Sequence, residues 1–316
     1  MLLAALALVV GLVLLTKAAD AFVEGSVRLA VALRVSPVVI GAVIVGFGTS
    51  APELLVSALA AGGGNLDIAV GNIIGSNIAN LSLVLGLAAA IAAMTVDSSV
   101  LRREVPLAVG ATLLFALLLT AGLSRLDGVV LLAGLAGALT WLLRGSREAG
   151  NEELSDETVE EFETEEPHRT GVEVVRTLVG LVGTLAGAQL LVTGAVRIAE
   201  EIGLSEAFIG LTLVAVGTSL PELVTAVVAA RKRAHDLIVG NVLGSNLFNS
   251  LAVGGVAALV GSGSIDDGDV AGRAAVVMLV VTLLAVAGAA TGRSLTRRKG
   301  VALLGVYALS VPLVAG

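Results

Sequence analysis

Two acidic residues sit inside apolar segments. Glu53 lies in GAVIVGFGTSAPELLVSALAA (41–61) and Glu222 in GLTLVAVGTSLPELVTAVVAA (210–230), each directly after a proline. Proline has no N–H and clashes with the carbonyl four residues back, so Pro52 should release Gly48 and Pro221 should release Gly217. Those glycines let the backbone unwind further. Freed carbonyls, the hydroxyls of Thr49, Ser50, Thr218 and Ser219, and two carboxylates would then gather in one place. Hard cations require such a set: Ca²⁺ takes about 6–8 oxygens at roughly 2.3–2.6 Å. A carboxylate buried in hydrocarbon costs about 2.5–3.5 kcal/mol. No basic residue lies near the middle of either segment, so a bound cation is the compensation the pattern calls for.

A second pair of motifs fits the first. In GNIIGSNIAN (71–80), Asn72, Ser76 and Asn80 fall at i, i+4 and i+8, on one face of a helix. Asn241, Ser245 and Asn249 repeat that face in GNVLGSNLFN (240–249), while Asn77 and Asn246 sit one step off it. Gly71, Gly75, Gly240 and Gly244 are small residues of the kind that let membrane helices approach closely. Taken singly, each element is ordinary. Prolines kink membrane helices, hydroxyls bond back to their own backbone, and one buried Glu can belong to an ion pair. The same set occurring twice is not explained that way.

The elements that must hold these residues are membrane helices. Of 316 residues 56% are hydrophobic and 14% charged, and the mean hydropathy is +1.00. A soluble domain is nearer 45–50% apolar. Charge-free runs recur at the length that crosses a ~30 Å core as helix, and no period-2 alternation suggests a barrel. The expected spans are 2–33, 37–61, 66–94, 104–123, 126–143, 171–202, 206–230, 236–261, 271–291 and 300–315. The first is read as one long helix on which Lys17, Asp20, Glu24 and Arg28 can pair. Its apolar start lacks the basic flank of a signal peptide and reads as a retained span. The chain has no cysteine, which excludes disulfides and thiol chemistry.

Segment 145–170 carries ten of the 26 acidic residues, without the EF-hand pattern, and is expected to be a solvated linker. With ten spans, thirteen Lys and Arg residues share its side of the membrane against Arg125 and Arg273 on the other. The positive-inside rule makes that side cytoplasmic and puts both termini outside.

Adding 169 to a first-half position lands on its second-half partner without a gap. Between 36–86 and 205–255, 22 of 51 positions are identical. The expected organisation is a five-span repeat (1–144), the acidic linker (145–170) and a second repeat (171–316). An odd span count per copy inverts the second, and inverted repeats with broken helices mark secondary transporters.

GTSAPE with GNIIGSNIAN, and GTSLPE with GNVLGSNLFN, closely resemble the two repeats of the sodium/calcium exchanger family, within the cation/calcium antiporter superfamily. The resemblance spans essentially the whole chain. It implies an all-α antiporter that exports Ca²⁺ against entering Na⁺ by alternating access, with the first and sixth spans sliding across a rigid core. Carried over by motif, the implied ion ligands are the side chains of Thr49, Ser50, Glu53, Ser76 and Asn80 with Thr218, Ser219, Glu222, Ser245 and Asn249. The backbone carbonyls of Gly46, Thr49, Ala215 and Thr218 join them. Ca²⁺ and Na⁺ are cargo, no cofactor is implied, and the bilayer is the one evident partner, with no nucleic acid or obligatory protein. Many family members carry Asp where this chain has Asn249, so the expected site has two carboxylates, not three. The rival reading on the same fold is an H⁺/Ca²⁺ or other divalent-cation antiporter. An enzyme is disfavoured, because both histidines, His168 and His235, fall in connections.

Overall fold

The computed structural model describes residues 2–33, 35–149, 170–202, 215–263 and 270–315. The chain opens with α1 (Leu2–Leu33), a single 32-residue helix as expected. The next span is two helices, α2 (Pro37–Thr49) and α3 (Ala51–Gly62), bent by 45° at one intervening residue. Then come α4 (Leu66–Ile91), the short α5 (Ser98–Arg102), α6 (Glu104–Leu119) and α7 (Arg125–Ala149). The second half holds α8 (Thr170–Glu201), α9 (Ala215–Thr218), α10 (Leu220–Arg231), α11 (His235–Val260), α12 (Ala275–Ala290) and α13 (Arg297–Ala315).

Six of the described helices are long and apolar enough to cross a membrane, and the bent α2–α3 pair adds a seventh. Apolar residues recur on outward faces at helical spacing: Leu2, Leu6, Val9 and Val13 on α1, and Val175, Val179 and Val182 on α8, are all exposed. Lipid makes such stripes stable where water would not.

The helix boundaries themselves repeat. Adding 169 to Ala51–Gly62 gives 220–231, the bounds of α10, and adding it to Leu66–Ile91 gives 235–260, the bounds of α11. A π-helical turn at Asn80–Val84 recurs as Asn249–Val253 by the same offset. Even the turn after the bent helix repeats. Gly64 has φ 85° and Arg233, its counterpart, φ 55°.

Two helices form the centre: α4 and α11 are the most buried of the long described helices. Glycines set how closely α2 approaches α11: a Cβ on Gly240 would stand 2.1 Å from the Val38 carbonyl oxygen, and one on Gly244 2.3 Å from that of Ala42. The expected close approach therefore holds for this pair. For Gly71 and Gly75 no described atom comes within 4 Å of such a Cβ. The 169 offset matches α2 to residues 206–218, of which 206–214 lie outside the described residues and 215–218 form α9.

Helices α1 and α8 pack mainly on each other, again through glycine. A Cβ on Gly180 would meet the Phe22 backbone nitrogen at 2.5 Å, and one on Gly187 that of Leu15 at 2.4 Å. Towards the α1 C-terminus the pair is held by charge. Glu24 pairs with Arg28 on its own helix and with Arg176 of α8, both at 2.8 Å. Lys232, just past α10, reaches Asp20 and Glu24 at 3.7 Å each. The charges on α1 thus pair partly along the helix, as expected, and largely between helices.

Two differences from the sequence reading concern boundaries. Helix α7 runs on to Ala149, so the first residues assigned to the linker are helical, and Thr170 already begins α8. Arg147, Glu148 and Ala149 have high intrinsic helix propensity. The remainder of the expected linker lies outside the described residues. The span expected to reach 94 ends at Ile91, because Met94–Thr95 pairs antiparallel with Ser294–Leu295.

Candidate cation site

The α2–α3 bend places Glu53 on the first turn after the break, with Pro52 at the second position of α3. Only Ser50 leaves the helical region, with φ −80° and ψ 6°, and Ser219 does the same in the second half with φ −89° and ψ 7°. The break is thus one residue long rather than an unwound stretch. Proline is tolerated there because an N–H at the start of a helix has no intrahelical partner to lose.

Glu53 and Glu222 are each 1% exposed. The contacts between halves are reciprocal. Ser50 Oγ donates to Glu222 Oε1 at 3.3 Å, and Ser219 Oγ donates to Glu53 Oε1, also at 3.3 Å.

Beyond these bonds the site has oxygen and amide groups to spare. Among the described residues, Glu53 Oε2, Glu222 Oε2 and both amide atoms of Asn80 and of Asn249 are buried without a hydrogen-bond partner. A buried polar atom left unpaired costs about 1–3 kcal/mol, more when charged. The four oxygens among them, at positions related by the 169 offset, are what a partly desolvated cation would satisfy. Asn80 and Asn249 also open the two π-helical turns, a deformation found often at functional sites.

The remaining expected residues are near but differently engaged. Ser76 and Ser245 are buried, and Ser245 Oγ donates to the Gly46 carbonyl at 3.4 Å. Thr49 Oγ1 donates to Val45 O at 2.9 Å. Ala215 begins α9 and so stands one turn before Ser219. Among the described residues no three His, Asp or Glu side chains gather as in a resident metal centre.

Two residues absent from the expected ligand set prove to matter. Asn72 Nδ2 donates to Ser57 Oγ at 2.9 Å and to the Glu53 carbonyl at 3.4 Å, and Ser57 Oγ donates to Ala69 O at 3.3 Å. These bonds tie α3 to α4. The second half has Ala226 in place of Ser57, and Asn241 turns instead toward Thr49 and Ser245, at 3.4 and 3.5 Å. The periodicity of the motif found the asparagines, but a lone serine in an apolar run gives no signal of its partner. Asn77 and Asn246, expected to lie off the ligand face, do point elsewhere. Asn77 Nδ2 bonds Ser250 Oγ at 3.0 Å, and Asn246 Nδ2 bonds Asn77 O at 3.1 Å.

The sequence pattern of the sodium/calcium exchanger protein family matches residues 3–144 and 172–315. The chain belongs to that family. Among similar chains, a putative antiporter, CaxA, of Alkalimonas amylolytica is 43% identical over 286 residues, covering 90% of this chain and 88% of the relative. The sodium/calcium exchanger MaX1 of Methanosarcina acetivorans is 31% identical, with 96% and 95% covered. A structure of the sodium-calcium exchanger NCX_Mj soaked with Na⁺ and Sr²⁺ superposes with a TM-score of 0.86 at 33% identity, covering 98% of both chains.

Proposed function

We propose that this protein is a secondary active antiporter that exchanges Ca²⁺ for Na⁺ across the cell membrane by alternating access. The observation that carries this reading is the reciprocal pair of buried carboxylates, each bound by the serine of the other half and each with one oxygen unpaired among the described residues. Glu53 and Glu222 balance the charge of one Ca²⁺. Ser50, Ser219, Ser76, Ser245, Thr49, Thr218, Asn80 and Asn249 supply neutral oxygen, with the carbonyls of Gly46, Thr49, Ala215 and Thr218. With several Na⁺ bound in place of one Ca²⁺ the site gains positive charge, so exchange moves net charge.

In this reading the chain has ten spans arranged as two inverted five-helix repeats, 1–144 and 171–316, joined by a cytoplasmic linker, with both termini outside. The repeated helix bounds and the paired contacts support the duplication, and the distribution of Lys and Arg supports the orientation. The packing of α1 and α8 mainly on each other suits a pair of helices that moves against a fixed core.

The test is Ca²⁺ uptake into proteoliposomes. An outward Na⁺ gradient should drive it, an imposed voltage should change its rate, and a pH gradient alone should not drive it. Uptake driven by protons and indifferent to Na⁺ would establish the proton-coupled alternative.

A further inference from the structure

A cavity of about 1140 Å³, distinct from the carboxylate site, opens where the connections after α1, α4, α10 and α12 meet. Four guanidinium groups line it, those of Arg231, Arg233, Arg293 and Arg297, against the carboxylates of Asp97 and Asp236. All four arginines are exposed, and among the described residues none forms an ion pair. Arg233 and Arg293 are also the two described non-glycine residues with left-handed backbone, φ 55° and 48°. That conformation is uncommon for a side-chain-bearing residue and tends to persist where surrounding structure requires it.

Asp97 is already engaged. It accepts from the Ser99 backbone N–H at 2.6 Å. That bond, the Ser99 hydroxyl and the charges of Arg293 and Arg102 hold its carboxyl below the usual range, so it remains an anion at neutral pH. The cavity nevertheless keeps a surplus of positive charge. Such a surplus favours an anion over Ca²⁺ or Na⁺.

Planar guanidinium groups match phosphate oxygens two by two. Apolar Ile91 and Val100 form part of the same wall, and basic pockets between helix ends at the cytoplasmic face are the usual seat of anionic lipid headgroups. We propose that this cavity binds the phosphate headgroup of an anionic phospholipid of the cytoplasmic leaflet. Arg231 ends α10, nine residues after Glu222 and so about 14 Å along the helix at 1.5 Å per residue. Lys232, its neighbour, reaches α1. A headgroup here would therefore brace the turn that lies between the carboxylate-bearing helix and the α1–α8 pair.

The leaflet assignment rests on the orientation proposed above. The binding test does not. Purified protein in a neutral detergent is melted with added phosphatidylglycerol, with phosphatidylcholine of the same chains, or with millimolar inorganic phosphate. Phosphatidylglycerol should raise Tm by about 3 °C or more, and phosphatidylcholine should not. The double variant Arg293→Gln/Arg297→Gln should lose the rise while matching the wild type in phosphatidylcholine. Arg293→Lys/Arg297→Lys should keep part of it, and Arg125→Gln, away from the cavity, should keep all of it. Should the Gln pair not fold, Arg231→Gln alone should weaken the shift. An equal rise with inorganic phosphate would overturn the lipid as the ligand in favour of a soluble phosphate. No difference between the two lipids, or a full rise in the Gln and Arg231 variants, would overturn the site. Either result leaves Na⁺-driven Ca²⁺ exchange a separate question.

Discussion

Replacing Glu53 by Gln should remove Ca²⁺ binding while leaving the fold intact, and replacing Glu222 by Gln should do so to the same degree. Both carboxylates are 1% exposed, each accepts one serine at 3.3 Å, and each has a second oxygen without a partner among the described residues. Gln keeps the size and the acceptor oxygen and loses one charge. Removing one member of a buried charge pair costs about 3–5 kcal/mol, which is a fall in affinity of roughly 150- to 5,000-fold. At a Ca²⁺ concentration one hundred times the wild-type Kd, binding stabilises the protein by about 2.7 kcal/mol. After even a hundredfold loss of affinity, the same Ca²⁺ contributes only about 0.4 kcal/mol. Without Ca²⁺ the variants should melt no lower than the wild type, because one buried, mutually repelling anion has gone. The assays are a melting curve with and without Ca²⁺ on purified protein, and Na⁺-driven ⁴⁵Ca²⁺ uptake. A variant that still binds Ca²⁺ within tenfold of the wild type, or a large inequality between the two, would refute the shared-site reasoning.

Gly180→Ala puts a Cβ 2.5 Å from the Phe22 backbone nitrogen, so α1 and α8 must part by about 1 Å, at about 1–3 kcal/mol; Tm should fall, with Gly137→Ala, where no described atom lies within 4 Å, as the neutral control. Ser57→Ala removes the 2.9 Å bond from Asn72 and should cost about 1–2 kcal/mol of stability, yet change Ca²⁺ affinity less than tenfold, because Glu53 keeps its bond from Ser219; a larger loss of affinity would make Ser57 part of the site. Asn249→Asp adds a third carboxylate where two already balance one Ca²⁺, so a proton must enter the cycle; exchange should slow and become more pH-dependent between about pH 6 and 8, and an unchanged profile would place Asn249 away from the ion.

The sequence was most informative where chemistry and period coincide. The bend at Pro52, the paired glutamates and the burial of Asn80 and Asn249 follow from residue type and spacing, and the 169-residue offset recovers the bounds of α10 and α11 to the residue. Hydrophobic periodicity was enough for long helices such as α1. Partners across helices were not legible. Glu24 meets Arg176 and Lys232 although 152 and 208 positions separate them, and Ser57 looks like any small residue in an apolar run until α4 is packed beside it. The lengthening of α7 was also missed, because charge density argues for solvent exposure and says little about whether exposed backbone is helical.

The tie between Ser57 and Asn72 has a consequence for energetics. If two halves with the same sequence exchanged roles during a cycle, the two end states would be degenerate by symmetry, and any preference between them would have to come from the ions or the voltage. Here one half has a serine where the other has Ala226, and the matched asparagines keep different company. The degeneracy is therefore broken in the protein itself. A bias as small as about 1.4 kcal/mol changes the resting ratio of the two states tenfold, so one hydroxyl group is enough to give an otherwise duplicated machine a preferred resting side.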